Sequence, residues 1–143
     1  PYESMAEVID SIASRAAATE SLAKIVQGDL VERERFGSTV TADQSTMLLH
    51  CRTEGVDRVW FGVIRPQALL YVCRGETIEP RTILVMLAPK SATKQTLATL
   101  GSLSREIVES DVFLETLHSG DLRRCYSAVE RVLNAYYYEI SRQ

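Results

Sequence analysis

The chain has 143 residues, which is enough for one domain with a substantial core, and its 45% hydrophobic content is ordinary for a globular protein. A formal net charge of −3 gives no reason to expect that this domain itself binds nucleic acid. No apolar run approaches the ~20 residues of a membrane span, and the Ala-rich start lacks the hydrophobic stretch of a signal peptide.

The three cysteines are too few and too scattered for a disulfide framework or a metal site. Cys51, Cys73 and Cys125 form no C-x-x-C pair, and their odd number favours reduced thiols. No His/Cys cluster has the spacing of zinc ligands. We therefore expect a cytoplasmic protein without a metal. Because the sequence starts at Pro1 without a methionine, we also expect residues 1–143 to be a single domain from a longer protein.

The first part of the chain predicts two helices. Residues 4–17 place apolar side chains at helical spacing, and Ser4 is a suitable N-cap. Thr19 is a second N-cap residue, and the helix that it begins is expected to end at Gly37, because glycine is common just after a helix.

The middle of the chain predicts short buried strands, and the last third predicts helices. The strand-like runs are residues 47–51, 59–64, 68–73 and 83–88. Leu97, Leu100, Leu103 and Ile107 then share one helical face. This order predicts an α/β fold in which a mixed sheet of four to five strands is sandwiched between helices on both faces.

His50 is the residue that most clearly points to chemistry. It ends an apolar strand and follows a helix end and turn that contain Arg33, Ser38 and Thr39. A neutral imidazole is a nucleophile at pH 7. Phosphoryl transfer needs mainly an in-line approach and positive charge for the phosphoryl oxygens. Arg33 could supply that charge, and the two hydroxyls could donate hydrogen bonds.

A structural interpretation of the same residues stays open. His50 could be a partly buried histidine that is satisfied by a backbone carbonyl. The run from Glu32 to Arg35 is also typical of a solvated helix face. Arg52, two residues after the histidine, is a second candidate cation.

These residues resemble the active-site region of enzyme IIA domains of the fructose/mannitol type from the bacterial sugar phosphotransferase system. Arg33-Glu34 and Ser38-Thr39 match paired residues of that family, and His50 falls on its phosphorylated histidine. Residues 83–89 are similar to its Ala-Pro strand, and residues 93–103 to the helix that follows. The resemblance covers roughly residues 5–120.

Three positions depart from the family pattern. Leu49 replaces the usual proline before the histidine, Thr96 stands where the family has a second histidine, and the loop 40–46 has no glycine. Such departures are expected in a regulatory copy of the domain. Family copies of that kind lie at the ends of transcription regulators and antiterminators.

The resemblance implies a phosphoacceptor domain that takes phosphate on His50 from the phosphocarrier protein and passes it to a IIB domain or keeps it as a signal. Arg33 and Thr96 would assist the transfer, and Ser38 and Thr39 would bind the phosphoryl group. Arg52, which has no counterpart in the family pattern, is a further phosphate-binding candidate. No metal or organic cofactor is implied.

Two other functions stay open. The domain could be a non-catalytic IIA-like regulatory module that uses the same surface for docking, and an exposed Tyr138 would fit a homodimer contact. It could also be an unrelated enzyme of the same fold class, although the chain contains no P-loop, G-x-S-x-G or G-x-G-x-x-G motif.

Overall fold

A computed structural model describes residues 4–73, 75–109, 115–116, 121, 123–124, 127–128 and 130–131. The chain divides into two compact units, Pro1–Ala92 and Thr93–Gln143. The first unit contains two helices and all six described strands, and the second contains the helix α3, Lys94–Glu109. No helix in the described part of the chain is long and apolar enough to cross a membrane.

The first helix, α1, spans Met5–Ala16 and begins as predicted. The hydroxyl of Ser4 accepts a hydrogen bond from the backbone N–H of Glu7 at 3.2 Å, which satisfies one of the free donors at the helix start. Its apolar stripe is buried, and the buried residues are Val8, Ile9, Ile12 and Ala13.

The second helix, α2, spans Glu20–Arg35. The Thr19 hydroxyl accepts from the backbone N–H of Leu22 at 3.2 Å, so the predicted N-cap is confirmed. Gly37 follows the helix with φ = 110°, a left-handed conformation that favours glycine, and its N–H donates to the carbonyl of Glu34 at 3.1 Å. The predicted end of the helix is therefore confirmed as well.

The predicted α/β fold with a mixed sheet of four to five strands is confirmed, and the sheet has four strands. The strands in chain order are β1 Thr39–Val40, β2 Thr46–Thr53, β3 Trp60–Ile64, β4 Tyr71–Cys73, β5 Glu76–Ile78 and β6 Thr82–Pro89. Four of them form one sheet in the order β1-β2-β6-β3, and β4 pairs with β5 separately. The pairing of β2 with β6 is parallel and the others are antiparallel.

The core of the first unit lies between the two helices and the two central strands. α2 packs on β2, and α1 packs on α2. The buried apolar residues of this layer include Val26, Leu30, Met47, Leu49, Ile83, Val85 and Leu87. The alternate strand residues Leu48, Leu84 and Met86 are also buried, as expected for strands that are apolar on both faces.

α2 also makes a close approach to the turn after β2. A Cβ added at Gly55 would lie 2.4 Å from Cγ2 of Val26 and 2.8 Å from the backbone oxygen of Leu22. The second neighbour is backbone, so it could not move away without moving the helix. Only glycine therefore fits at this contact, because any side chain would clash with the helix.

The prediction of a buried strand over residues 68–73 is wrong for its first half. Ala68 has φ = 56°, which belongs to a turn, and the strand β4 begins only at Tyr71. Leu70 and Val72 are 64% and 66% exposed, so these apolar side chains are not core. β1 and β5 were not predicted, because strands of two and three residues leave no clear alternation of polar and apolar side chains.

Truncation of Leu30 tests the packing of α2. Leu30 is fully buried, so Leu30→Ala should lower the free energy of unfolding by about 2–5 kcal/mol through lost burial and a residual cavity. The neighbouring Val31 is 46% exposed, and Val31→Ala should cost less than about 1 kcal/mol. Chemical denaturation measures both values, and equal losses would contradict this packing.

Candidate functional site

His50 lies at a place where β2 has a strand neighbour on one side only. On that side it is opposite Met86 of β6. On the other side β1 pairs with Met47 and Leu48 and extends no further, so among the described residues no strand covers the edge at His50. The ring is half-buried. The strand therefore fixes the backbone that carries the imidazole, and the half-buried ring keeps part of its surface exposed.

The last turn of α2 brings Arg33 to this imidazole. Nη2 of Arg33 lies 3.4 Å from Nε2 of His50, and Nη1 donates to the carbonyl of Gly37 at 3.1 Å. The turn that ends the helix thus orients the guanidinium. Because a guanidinium can only donate, this contact is a hydrogen bond only when Nε2 is unprotonated. The neutral tautomer with its proton on Nδ1 fits this arrangement.

The surroundings of His50 favour the neutral ring. Burial lowers the pKa of His50 below its ordinary value, and the positive charge of Arg33 lowers it further. The backbone of Leu48 and the carboxylate of Glu34 raise this pKa in part. Nδ1 is buried, and no described group forms a hydrogen bond with it. Nε2 is therefore the nitrogen that is positioned to react.

Glu34 belongs to a cluster of hydroxyls beside this pair. Its Oε2 accepts a hydrogen bond from the hydroxyl of Ser38 and another from the hydroxyl of Tyr71 at 3.0 Å. The two hydroxyl oxygens lie 3.3 Å apart. Sequence reasoning placed Ser38 near the site but missed Tyr71. Because Leu70 and Val72 are exposed, strand alternation could have predicted that Tyr71 points inward. Nothing in the sequence pattern, however, links Tyr71 to Glu34.

The remaining predicted site residues lie in three different settings. Thr39 is in β1, opposite Leu48. Arg52 donates from Nη2 to the backbone carbonyl of Lys90 at 2.5 Å, so its guanidinium already has a partner. Thr96 is in the second unit, where its hydroxyl lies 3.0 Å from that of Thr93. The phosphate-binding or assisting roles of these residues stay predictions.

Cys51, next to His50, is not set up as a nucleophile. Burial raises the pKa of the Cys51 thiol to about 12, with a further contribution from the carboxylate of Asp29 that outweighs the opposite effect of Arg33. At neutral pH the thiol is therefore protonated, and the thiolate is the reactive form of cysteine. The imidazole is the better nucleophile of the two.

The described residues contain no group of three or more His, Cys, Asp or Glu side chains that could hold a metal ion. His118, the second histidine of the chain, lies outside the described residues, as does Tyr138, which we considered as a homodimer contact.

Comparison with solved structures supports the fold. No curated protein sequence matches the chain. Among solved structures, it is similar to the nitrogen regulatory protein IIA-Ntr from Neisseria meningitidis, with a TM-score of 0.67 and 21% sequence identity. The match covers 94% of this chain and 88% of that one, and at this identity it shows the fold alone.

A family description matches nearly the whole sequence. Residues 2–130 match the family described as "Phosphoenolpyruvate-dependent sugar phosphotransferase system, EIIA 2". This match includes both members of the Arg33–His50 pair. The chain belongs to the type 2 EIIA family of the phosphoenolpyruvate-dependent sugar phosphotransferase system.

Proposed function

We propose that the chain is a phosphoacceptor domain that receives a phosphoryl group on Nε2 of His50 from the phosphocarrier protein. The observation that carries this proposal is the contact between an imidazole nitrogen and Arg33 at 3.4 Å, on a strand edge that no described strand covers. EIIA domains of this family work with phosphocarrier proteins in phosphotransfer, so the partner class follows from the family.

The reaction needs little from the protein beyond this pair. The lone pair on Nε2 attacks phosphorus, a nitrogen–phosphorus bond forms, and the bond between phosphorus and the carrier breaks. Nδ1 keeps its proton throughout. As charge builds on the phosphoryl oxygens, the guanidinium of Arg33 turns its donors from Nε2 to them. Ser38 and Thr39 would add hydroxyl donors, and Thr96 and Arg52 are further candidates for the same role.

The fate of the phosphoryl group is a finer part of the proposal. The domain either passes it to a IIB domain or keeps it as a signal within a transcription regulator or antiterminator. Reduced cysteines favour a cytoplasmic setting for both.

A second candidate function is a non-catalytic regulatory module. The specific observation in its favour is the chain's departure from the family at two positions, Leu49 for proline and Thr96 for the second histidine. A threonine can donate a hydrogen bond, but it cannot take up a proton to balance charge. The two functions overlap, because a regulatory domain can also be phosphorylated.

Phosphorylation of His50 can be tested directly. Incubation with enzyme I, phosphocarrier protein and labelled phosphoenolpyruvate should label the wild-type domain. His50→Ala should abolish the label, because the attacking nitrogen is gone. His118→Ala removes the other histidine and should retain it. An unlabelled wild type would refute the acceptor role and favour the regulatory module, and equal label on His50→Ala would refute His50 as the acceptor.

Removal of the charge at Arg33 should change the titration of His50 and the transfer rate together. Because Arg33 lowers the pKa of His50, Arg33→Gln should raise that pKa, which an NMR titration of the ring measures. A protonated ring has no lone pair on Nε2. The rate of phosphorylation should therefore begin to fall at a higher pH in the variant as the solution is acidified.

The loss of phosphoryl stabilisation in Arg33→Gln should also slow transfer by about a hundredfold at neutral pH. Arg35→Gln is the matched control, since Arg35 is in the same turn but pairs with Glu32 at 3.4 Å on the surface. It should leave both the titration and the rate near the wild-type values. If Arg35→Gln and Arg33→Gln behave alike, the effect is one of net charge and the specific role of Arg33 is excluded.

A further inference from the structure

We propose that Tyr71 is a positioning residue that holds the carboxylate of Glu34 away from the Arg33–His50 pair. The effect on phosphotransfer rests on the proposed function, whereas the effect on the imidazole itself does not. Tyr71 has no place in the motif that identified the site, and it comes from β4, outside the four-stranded sheet.

The hydrogen bonds to Glu34 matter because its carboxylate could otherwise pair with the neighbouring Arg33. Arg33 and Glu34 are consecutive and oppositely charged, and both stand in the last turn of α2. A carboxylate paired with Arg33 would cancel the charge that a phosphoryl group needs, and it would repel the phosphoryl oxygens. Among the described residues, however, no carboxylate forms an ion pair with Arg33, whose guanidinium instead contacts His50 and the Gly37 carbonyl.

The two hydroxyls on Glu34 explain where its carboxylate is kept. Ser38 and Tyr71 both donate to the same oxygen, Oε2. Glu34 is still near enough to His50 for its charge to act on the ring. A modest displacement of this carboxylate would therefore change the electrostatic environment of both members of the pair.

Of the two hydroxyls, that of Tyr71 is the better anchor. Ser38 is a short side chain in the turn after α2, and it is the residue that would turn to an incoming phosphoryl group. Tyr71 carries its hydroxyl on a rigid ring that packs against the core, and its backbone is opposite Ile78 in the β4–β5 pair. When Ser38 leaves Oε2, Tyr71 still retains Glu34.

Tyr71→Phe tests this role because it removes the hydroxyl and keeps the ring. In the variant only the short Ser38 side chain still donates to Oε2. The carboxylate should therefore be less firmly held and move closer to Arg33 and His50, which weakens the influence of Arg33 and strengthens that of Glu34. Both changes raise the pKa of His50, so an NMR titration of the unphosphorylated protein should show an upward shift. The rate of phosphorylation by the phosphocarrier protein should also fall, by up to about a hundredfold, since a small misplacement near a reacting centre can cost that much.

A double-mutant cycle separates positioning from a merely structural role. In a Glu34→Gln background there is no carboxylate to release, so Tyr71→Phe should leave the His50 titration unchanged. Thr77→Val is the matched control on the same pair of strands, since Thr77 is exposed and opposite Val72, and it should change neither readout.

Two results would overturn the proposal. One is a folded Tyr71→Phe protein whose His50 titrates as in the wild type. The other is an upward shift of the same size in the Glu34→Gln background. If the wild type takes no phosphate at all, the acceptor function fails, but the titration still decides the role of Tyr71.

Discussion

The site depends on one contact, in which a group that can only donate hydrogen bonds faces a ring nitrogen. A guanidinium at 3.4 Å from Nε2 favours the tautomer whose lone pair is on Nε2, and its charge opposes protonation of the same ring. In the proposed phosphotransfer, one residue would thus prepare the nucleophile before the reaction and bind the phosphoryl oxygens afterwards. Arg33 can act in both ways because the Gly37 carbonyl holds its other nitrogen.

The same contact explains why the local fold matters to the chemistry. β1 ends two residues before His50, so the backbone at His50 is paired with β6 alone, and the imidazole that it carries is half-buried. The C-terminal turn of α2 supplies the positive charge of Arg33. The negative carboxylate of Glu34 in the same turn accepts hydrogen bonds from two hydroxyls. The geometry keeps two adjacent and opposite charges from cancelling each other.

Much of this could be predicted from local patterns. The caps at Ser4 and Thr19, the helix end at Gly37 and the strand that leads to His50 each leave a signal within a few residues. Arg33 was named as a cation for His50 from its residue type in the preceding helix end, and the family resemblance supported that choice. Tyr71 was missed because its bond to Glu34 joins residues far apart in sequence and leaves no periodic trace. The start of β4 was misplaced because Leu70 and Val72 are apolar but exposed.

The missing side chain at Gly55 has a consequence well beyond its own turn. It lets the backbone of α2 rest against the strand connection near Leu22 and Val26. Arg33 is seven residues further along the same helix, about 10 Å away. An added methyl group would push the backbone of α2 away from the turn, and the displaced helix would carry the guanidinium of Arg33 with it. The position of Arg33 relative to His50 therefore depends on the packing at Gly55, a residue without a functional group.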